Sequence, residues 1–155
     1  MSYTIERVGL NEAAFLEVFG LLLEEHAEIA HAPLNLQKAR EYCYRILQQG
    51  MAWLVRDDAG NAVGHLALKE VPLFYSDQVD LFDAWIYVQP AHRKGEAGKL
   101  LVRAAEAEGN RRGQYVFLRV ANPKRNAKRT TTTLMSEMHG WKPCGYDLLI
   151  TSGKG

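Results

Sequence analysis

The run from Val79 to Val120 constrains this chain most. An alternating, aromatic-rich stretch, Val79–Val88, reads as a strand and stops before Pro90, whose missing N–H bars it from a central strand. Ala97–Arg112 then repeats Leu101, Ala104, Ala105 and Glu108 at helical spacing, and Tyr115–Val120 is a compact apolar strand. Strand, crossover helix and strand together imply parallel pairing, which neither a meander nor a helical bundle contains. The expected fold is therefore α/β in the wide sense (α+β), a mixed central sheet flanked by helices.

The remainder fits around that unit. Tyr3–Val8 is short and β-leaning. From Asn11 and Glu12 onward, Phe15, Val18, Phe19, Leu22 and Leu23 recur at three- and four-residue intervals, which predicts an amphipathic helix with an Asn cap. His31–Asn35 interrupts it, and Leu36–Gln49 resumes the helical period through Ala39, Tyr42, Cys43, Ile46 and Leu47 until Gly50. Met51–Arg56 and Ala62–Val71 flank the turn residues Asp57–Asn61, a hairpin pattern. Past a polar, basic loop, Asn122–Arg129, the segment Thr130–His139 reads as a short helix and Tyr146–Thr151 as a last strand. The expected order is β-α-α-β-β-β-α-β-α-β. With 155 residues and no linker, repeat or low-complexity tract, a single domain over 1–155 is expected.

Composition narrows the class further. Hydrophobic residues at 47% and charged residues at 24% exclude a disordered tail, a collagen-like chain and a coiled-coil rod. A net charge of +1 gives no global field toward nucleic acid or an anionic membrane, so any such attraction must be local. No apolar run approaches the ~20 residues of a spanning helix, and no signal segment is read at the start. The expectation is a soluble, cytoplasmic protein that does not engage a membrane. Cys43 and Cys144 show neither CxxC nor Cys/His spacing, which argues for inert thiols rather than a zinc site or a disulfide framework.

Chemistry concentrates in Val88-Gln89-Pro90-Ala91-His92-Arg93-Lys94-Gly95-Glu96-Ala97-Gly98-Lys99-Leu100-Leu101, which joins the strand to the helix. Small residues let backbone N–H groups approach phosphate oxygens, the helix offers its positive end, and Arg93, Lys94 and Lys99 add cationic charge. A pyrophosphate suits such a cradle.

This segment, with Val at the strand end, Pro two residues on and Arg five on, resembles the acyl-CoA loop of the GNAT N-acetyltransferase family. The element order along essentially the whole chain is similar too, including the helical pair after the first strand and Gly140-Trp141, where members usually carry Gly-Phe. The family's loop pattern is Arg or Gln, two residues, Gly, one residue, Gly or Ala, and two registers fit. Starting at Arg93 keeps Gly98 but puts Glu96 where Gly is expected; starting at His92 keeps Gly95 and Ala97 but loses the Arg. The Arg93 register keeps the usual distance from Val88 and Pro90. Either register uses the same amides, so the resemblance assigns CoA binding to Arg93, Lys94, Gly95, Glu96, Ala97, Gly98 and Lys99. It places hydrogen bonds to the pantetheine arm on Ile86, Tyr87 and Val88, and no metal is implied.

Transfer from a thioester to an amine requires a base for the ammonium, a donor for the oxyanion and an acid for the thiolate. The Val88 amide suits the oxyanion. Asp77, Asp80 and Asp83 are base candidates; regular alternation separates Asp80 from Asp83, and Asp83, set among Phe82, Ala84 and Trp85, is the first choice because desolvation raises its pKa. The family's usual acid is a Tyr in the last helix, and the matching position is Ser136, beside Met135. Serine is a poor acid, so either a water serves, Tyr146 or Tyr115 substitutes, or the thiolate leaves unassisted. The family's Asn near that helix falls on Asn126, with Asn122 competing.

Three further groups stand out. Lys124, Arg125, Lys128 and Arg129 form a basic cluster suited to the 3′-phosphate of CoA, to a nucleic-acid backbone or to a solvated loop, and the absence of aromatics argues against single-strand recognition. His26 and His31 lie five apart, not at the spacing of a helical metal pair. Phe74, Tyr75, Trp85 and Tyr87 are either an acceptor pocket or core. The resemblance implies acetyl-CoA-dependent acetylation of a primary amine by direct attack in a ternary complex. Its rival is a GNAT-shaped module that binds acyl-CoA or a partner without turnover, motivated by Glu96 and Ser136. The expected partners are CoA and an amine-bearing acceptor whose identity the sequence does not give; a nucleic acid is disfavoured, and a homodimer is left open.

Overall fold

The computed structural model describes residues 2–29, 32–119, 142–143 and 148–150. Its elements are β1 (Thr4–Val8), α1 (Glu12–Ile29), α2 (Leu36–Gln48), β2 (Ala52–Arg56), β3 (Ala62–Pro72), β4 (Val79–Val88), a 3₁₀ turn at Pro90–His92, α3 (Ala97–Arg112), β5 (Val116–Arg119), β6 (Lys142–Pro143) and β7 (Leu148–Ile150). The predicted strand and helix order is found up to β5. The strand expected at Tyr146–Thr151 is β7, and the two-residue β6 is an addition the sequence did not announce. The helix expected at Thr130–His139 lies outside the described residues.

The chain forms two compact units, Met1–Lys69 with Ala84–Ala104, and Glu70–Asp83 with Ala105–Gly155. In the first, β1, β2, β3 and β4 are successive neighbours. β1 runs antiparallel to β2 and β2 to β3, with Leu54 opposite His65. Both helices of this unit start where predicted. Asn11 Oδ1 accepts the Ala14 N–H at 2.9 Å and Asn35 Oδ1 accepts the Lys38 N–H at 3.0 Å, caps worth about 1 kcal/mol each. α2 stops at Gly50, whose φ of 73° a residue with a Cβ rarely adopts. Val18 and Leu21 of α1, Cys43 and Leu47 of α2, and Leu54 and Trp85 of the strands form the core, each under a tenth exposed. Burial pushes the Cys43 thiol up to about 11, which disfavours its reactive thiolate form.

In the second unit β4 pairs in parallel with β5, and β7 lies antiparallel between β5 and β6. Leu81 sits opposite Val116 and Phe82 opposite Phe117, the two rings stacked with centroids 4.6 Å apart. α3 presses against this pair. A Cβ on Gly109 would come within 2.5 Å of Val116 Cγ2, so only glycine permits the approach.

Candidate cofactor loop and buried carboxylates

The loop between β4 and α3 is built from the strand outward. Gln89 donates its N–H to Val63 O at 2.9 Å, and ladder alternation then turns the Tyr87 amide toward β3 and the Ile86 and Val88 amides to the opposite edge of the strand. The pantetheine role was expected on Ile86, Tyr87 and Val88; of these, only the Ile86 and Val88 amides lie on the edge away from β3. Pro90 opens one 3₁₀ turn, and α3 begins at Ala97. Its first intrahelical bond runs from Leu100 N–H to Glu96 O at 3.0 Å, so the amides of Glu96, Ala97, Gly98 and Lys99 have no helical acceptor behind them. A Cβ placed on Gly98 meets nothing within 4 Å, which leaves the approach to those amides open. Lys94 is exposed beside them. Open amides, an uncrowded glycine and a nearby cation fit the phosphate groups of a CoA.

Two charged side chains of the loop behave differently from expectation. Arg93 turns back toward the unit: Nε donates to Val88 O at 2.8 Å, both terminal nitrogens reach the Glu28 carboxylate at 2.6 Å, and the guanidinium carbon lies 5.6 Å from the Tyr87 ring centroid. This pairing holds the Glu28 carboxyl below its usual range, while Tyr87, which donates to Glu28 at 3.2 Å, is raised to about 12, chiefly by burial. Arg93 thus anchors the loop to α1 rather than presenting its charge to it. Glu96 is solvent-facing and paired to Lys99 at 2.8 Å, which lowers its carboxyl pKa and occupies one of the cradle's cations.

The carboxylates of β4 lie in the second unit. Asp77 is exposed. Asp80, 1% exposed, accepts the Tyr115 N–H at 3.1 Å and the Gln78 side-chain amide at 2.7 Å. Asp83, 4% exposed, accepts the Arg119 N–H at 3.1 Å, with the Arg119 guanidinium 3.4 Å away. Alternation predicts opposite faces for the two aspartates; each carboxylate accepts a backbone N–H, Asp80 from Tyr115 just before β5 and Asp83 from Arg119 at its end. Backbone pairing of β4 with β5 runs through Phe82 opposite Phe117, and beyond it the Asp83 carboxylate takes the Arg119 amide. Burial raises the Asp83 pKa and outweighs the opposing pull of Arg119.

Of the other candidates, His26 Nε2 donates to Ala32 O at 2.7 Å and ties the end of α1 to the following turn. Trp85 and Tyr87 are buried, whereas Phe74 is 99% exposed and Tyr75 largely so. Ser136, Asn126, Asn122, Met135, Tyr146, Cys144, His31 and the basic cluster Lys124–Arg129 lie outside the described residues. Sequence reasoning missed Glu28 and Tyr3. Both act on the loop from remote positions, and neither carries a local motif. Among the described residues, no group is placed to hold a metal ion, and no helix is long and apolar enough to cross a membrane.

A mixed sheet with helices, and a small-residue loop running from β4 into the amino end of α3, define an acyltransferase scaffold, and the comparisons agree. Residues 16–131 match the model of the acetyltransferase (GNAT) family, and the chain belongs to it. A GNAT family acetyltransferase from Brucella melitensis in complex with acetyl-CoA superposes with a TM-score of 0.64 at 15% identity, covering 96% of this chain and 86% of that one. A mosquito arylalkylamine N-acetyltransferase like 5b gives 0.71 at 11% identity over 93% and 85%. The ribosomal-protein-alanine N-acetyltransferase of Brucella melitensis biovar Abortus 2308 gives 0.56 at 22% identity over 76% and 78%. At these identities the likeness is one of fold. No curated protein matches the chain by sequence.

Proposed function

We propose that residues 1–155 act as one N-acetyltransferase domain, moving the acetyl group of acetyl-CoA to a primary amine by direct attack in a ternary complex. The observation that carries this reading is the loop itself, whose amides from Glu96 to Lys99 precede the first helical bond under an uncrowded Gly98. In the proposed reaction the amine loses a proton to a base, its nitrogen forms the new N–C bond at the thioester carbonyl, and the C–S bond breaks to release a thiolate that takes up a proton. Asp83 is the base in this reading, supported by its burial and raised pKa on the strand that leads into the loop. The Val88 amide, on the strand edge away from β3, is the oxyanion donor.

The acceptor is proposed to be cationic. Glu24 and Glu25 on the last turns of α1 accept bonds from Gln89 and Trp85 of the β4 segment, carboxylates beside an indole that favour an ammonium. The first test is thermal. CoA at a hundred times its dissociation constant should stabilise the fold by roughly 2.7 kcal/mol. Arg93→Glu, which sets two carboxylates face to face at Glu28 and unfastens the loop, should abolish that shift, whereas Arg7→Glu should keep it. A midpoint unmoved by millimolar CoA in the wild type would end this reading. Binding without acetyl-CoA consumption across an amine panel would favour the non-catalytic module instead.

A further inference from the structure

The loop is clasped on a second side by a residue that no loop motif contains. Tyr3 Oη lies 3.0 Å from His92 Nδ1, within hydrogen-bonding distance, and the two rings meet edge to face with centroids 5.7 Å apart. The same phenol lies over Gly95: a Cβ there would come 3.1 Å from Tyr3 Oη and 3.2 Å from its Cε2. Gly95 is therefore the one loop residue whose missing side chain is taken up by protein rather than left open, in contrast to Gly98. Tyr3 is itself tethered. Its neighbour Ser2 donates its N–H to both carboxylate oxygens of Asp58, at 3.2 and 3.3 Å, and its hydroxyl bonds the same group. The β2–β3 turn, the segment before β1 and the loop thus form one connected chain of contacts within the first unit.

We propose that Tyr3 is a positioning residue for the cofactor loop: through His92 and Gly95 it fixes the backbone whose amides receive the CoA phosphates. This rests on the acetyl-CoA reading above. Preorganised amides bind an anion without having to be ordered first, so loosening the clasp weakens binding while leaving the reacting groups unchanged. The two neighbouring positions differ in surroundings: a Cβ at 95 would press on the Tyr3 phenol, and the Glu96 side chain is more than half exposed and paired to Lys99.

The test uses the full chain, CoA as the calorimetric probe, and amide hydrogen exchange over residues 93–99 measured without CoA. Tyr3→Phe keeps the ring and removes the bond to His92, and should weaken CoA binding by about two- to tenfold, the value of one hydrogen bond, with the apo melting point unchanged. With an acceptor in hand, KM for acetyl-CoA should rise and kcat stay. Gly95→Ala should weaken CoA binding too, but adding it to Tyr3→Ala should cost nothing more, because the phenol it crowds is gone. In the cofactor-free chain, Tyr3→Ala should speed exchange of the loop amides on the order of tenfold. If Tyr3→Ala fails to fold, Tyr3→Phe and Gly95→Ala carry the comparison. Unchanged CoA affinity in Tyr3→Phe and Gly95→Ala, or additive losses in the double variant, would overturn the proposal. A wild type that binds no CoA brings down the parent reading, and unaltered loop exchange in Tyr3→Ala shows separately that the clasp itself is absent.

Discussion

His65 in the first unit and Asp83 in the second are both buried ionisable groups, and they are treated in opposite ways. His65 lies on β3 at 0% exposure with neither ring nitrogen bonded among the described residues, its ring 4.6 Å from that of Trp85. Asp83, at 4%, has a backbone amide and a guanidinium at its oxygens. Burial disfavours the charged form of each, pushing the histidine down to about 3 and the carboxyl up. Donors make the difference. Arg119 opposes the rise at Asp83, whereas among the described residues no partner opposes the fall at His65. A buried group with donors can exchange a proton in service of a reaction; one without them only adds a stability cost on acidification.

The sharpest way to break this comparison is to remove each group's titration and look for the loss in the opposite place. Asp83→Asn should lower turnover by a factor of ~10²–10⁴, the usual worth of a general base, while acetyl-CoA binding is retained. Activity should rise with pH through the Asp83 pKa in the wild type, since the base must be ionised, and Asn should erase that limb. Asp80→Asn, whose side chain serves the Tyr115 amide, should keep its turnover. Full activity in Asp83→Asn would hand the base role to a water or to the acceptor. Loss in Asp80→Asn alone would mean the wrong aspartate has been assigned.

The second effect belongs to stability alone. His65 has a folded pKa of about 3 against 6.5 for the free side chain, so the unfolded chain binds a proton that the native chain refuses. Its contribution is therefore neutral above 6.5 and becomes destabilising as pH falls toward 3. Between pH 7 and pH 5 linkage gives a loss of about 2 kcal/mol from this residue. His65→Leu should flatten the denaturant-melt stability profile over that window by this amount, with turnover unchanged. A variant as acid-labile as the wild type would show that the ring finds a partner when protonated.

The parts of this molecule that follow from local chemistry were legible in the sequence. Asn11 announced its cap, Gly50 its stop, Asp57–Asn61 its turn, and the strand–loop–helix run its parallel pairing, whereas the Asn35 cap showed in the sequence only as part of a break. The loop was legible too, because small residues and cations at a strand-to-helix junction are contiguous. Legibility failed where a partner lies far along the chain. Nothing near Arg93 says that it will turn to Glu28 on α1, and nothing near Gly95 says that Tyr3 will lie on it. Period-2 alternation separates Asp80 from Asp83 but gives no sign that each carboxylate accepts a backbone N–H of the β5 segment, a partner far along the chain. The orphaned state of His65 was equally hidden, since its partners would have had to come from elements distant in sequence.

The smallest expected effect tests whether the loop, like Asp83, has its charge tuned by a partner. Glu96 and Lys99 are joined at 2.8 Å in a half-exposed pair, and Lys99 lowers the Glu96 carboxyl pKa, so the pair is ionised at neutral pH. Near an incoming pyrophosphate the carboxylate repels and also holds a cation that would otherwise turn to the ligand. Glu96→Gln removes both effects at once. Because solvent screens exposed charges, the gain is modest: CoA should bind about two- to fivefold more tightly at low salt. The gain should shrink toward nothing at 1 M salt, where the screening length falls to about 3 Å. Tighter binding that survives high salt would mean that Glu96 acts by shape rather than charge. Weaker binding in Glu96→Gln would mean that the ion pair holds the first turn of α3 in place, making it a second fastening of the loop beside Tyr3 and Arg93.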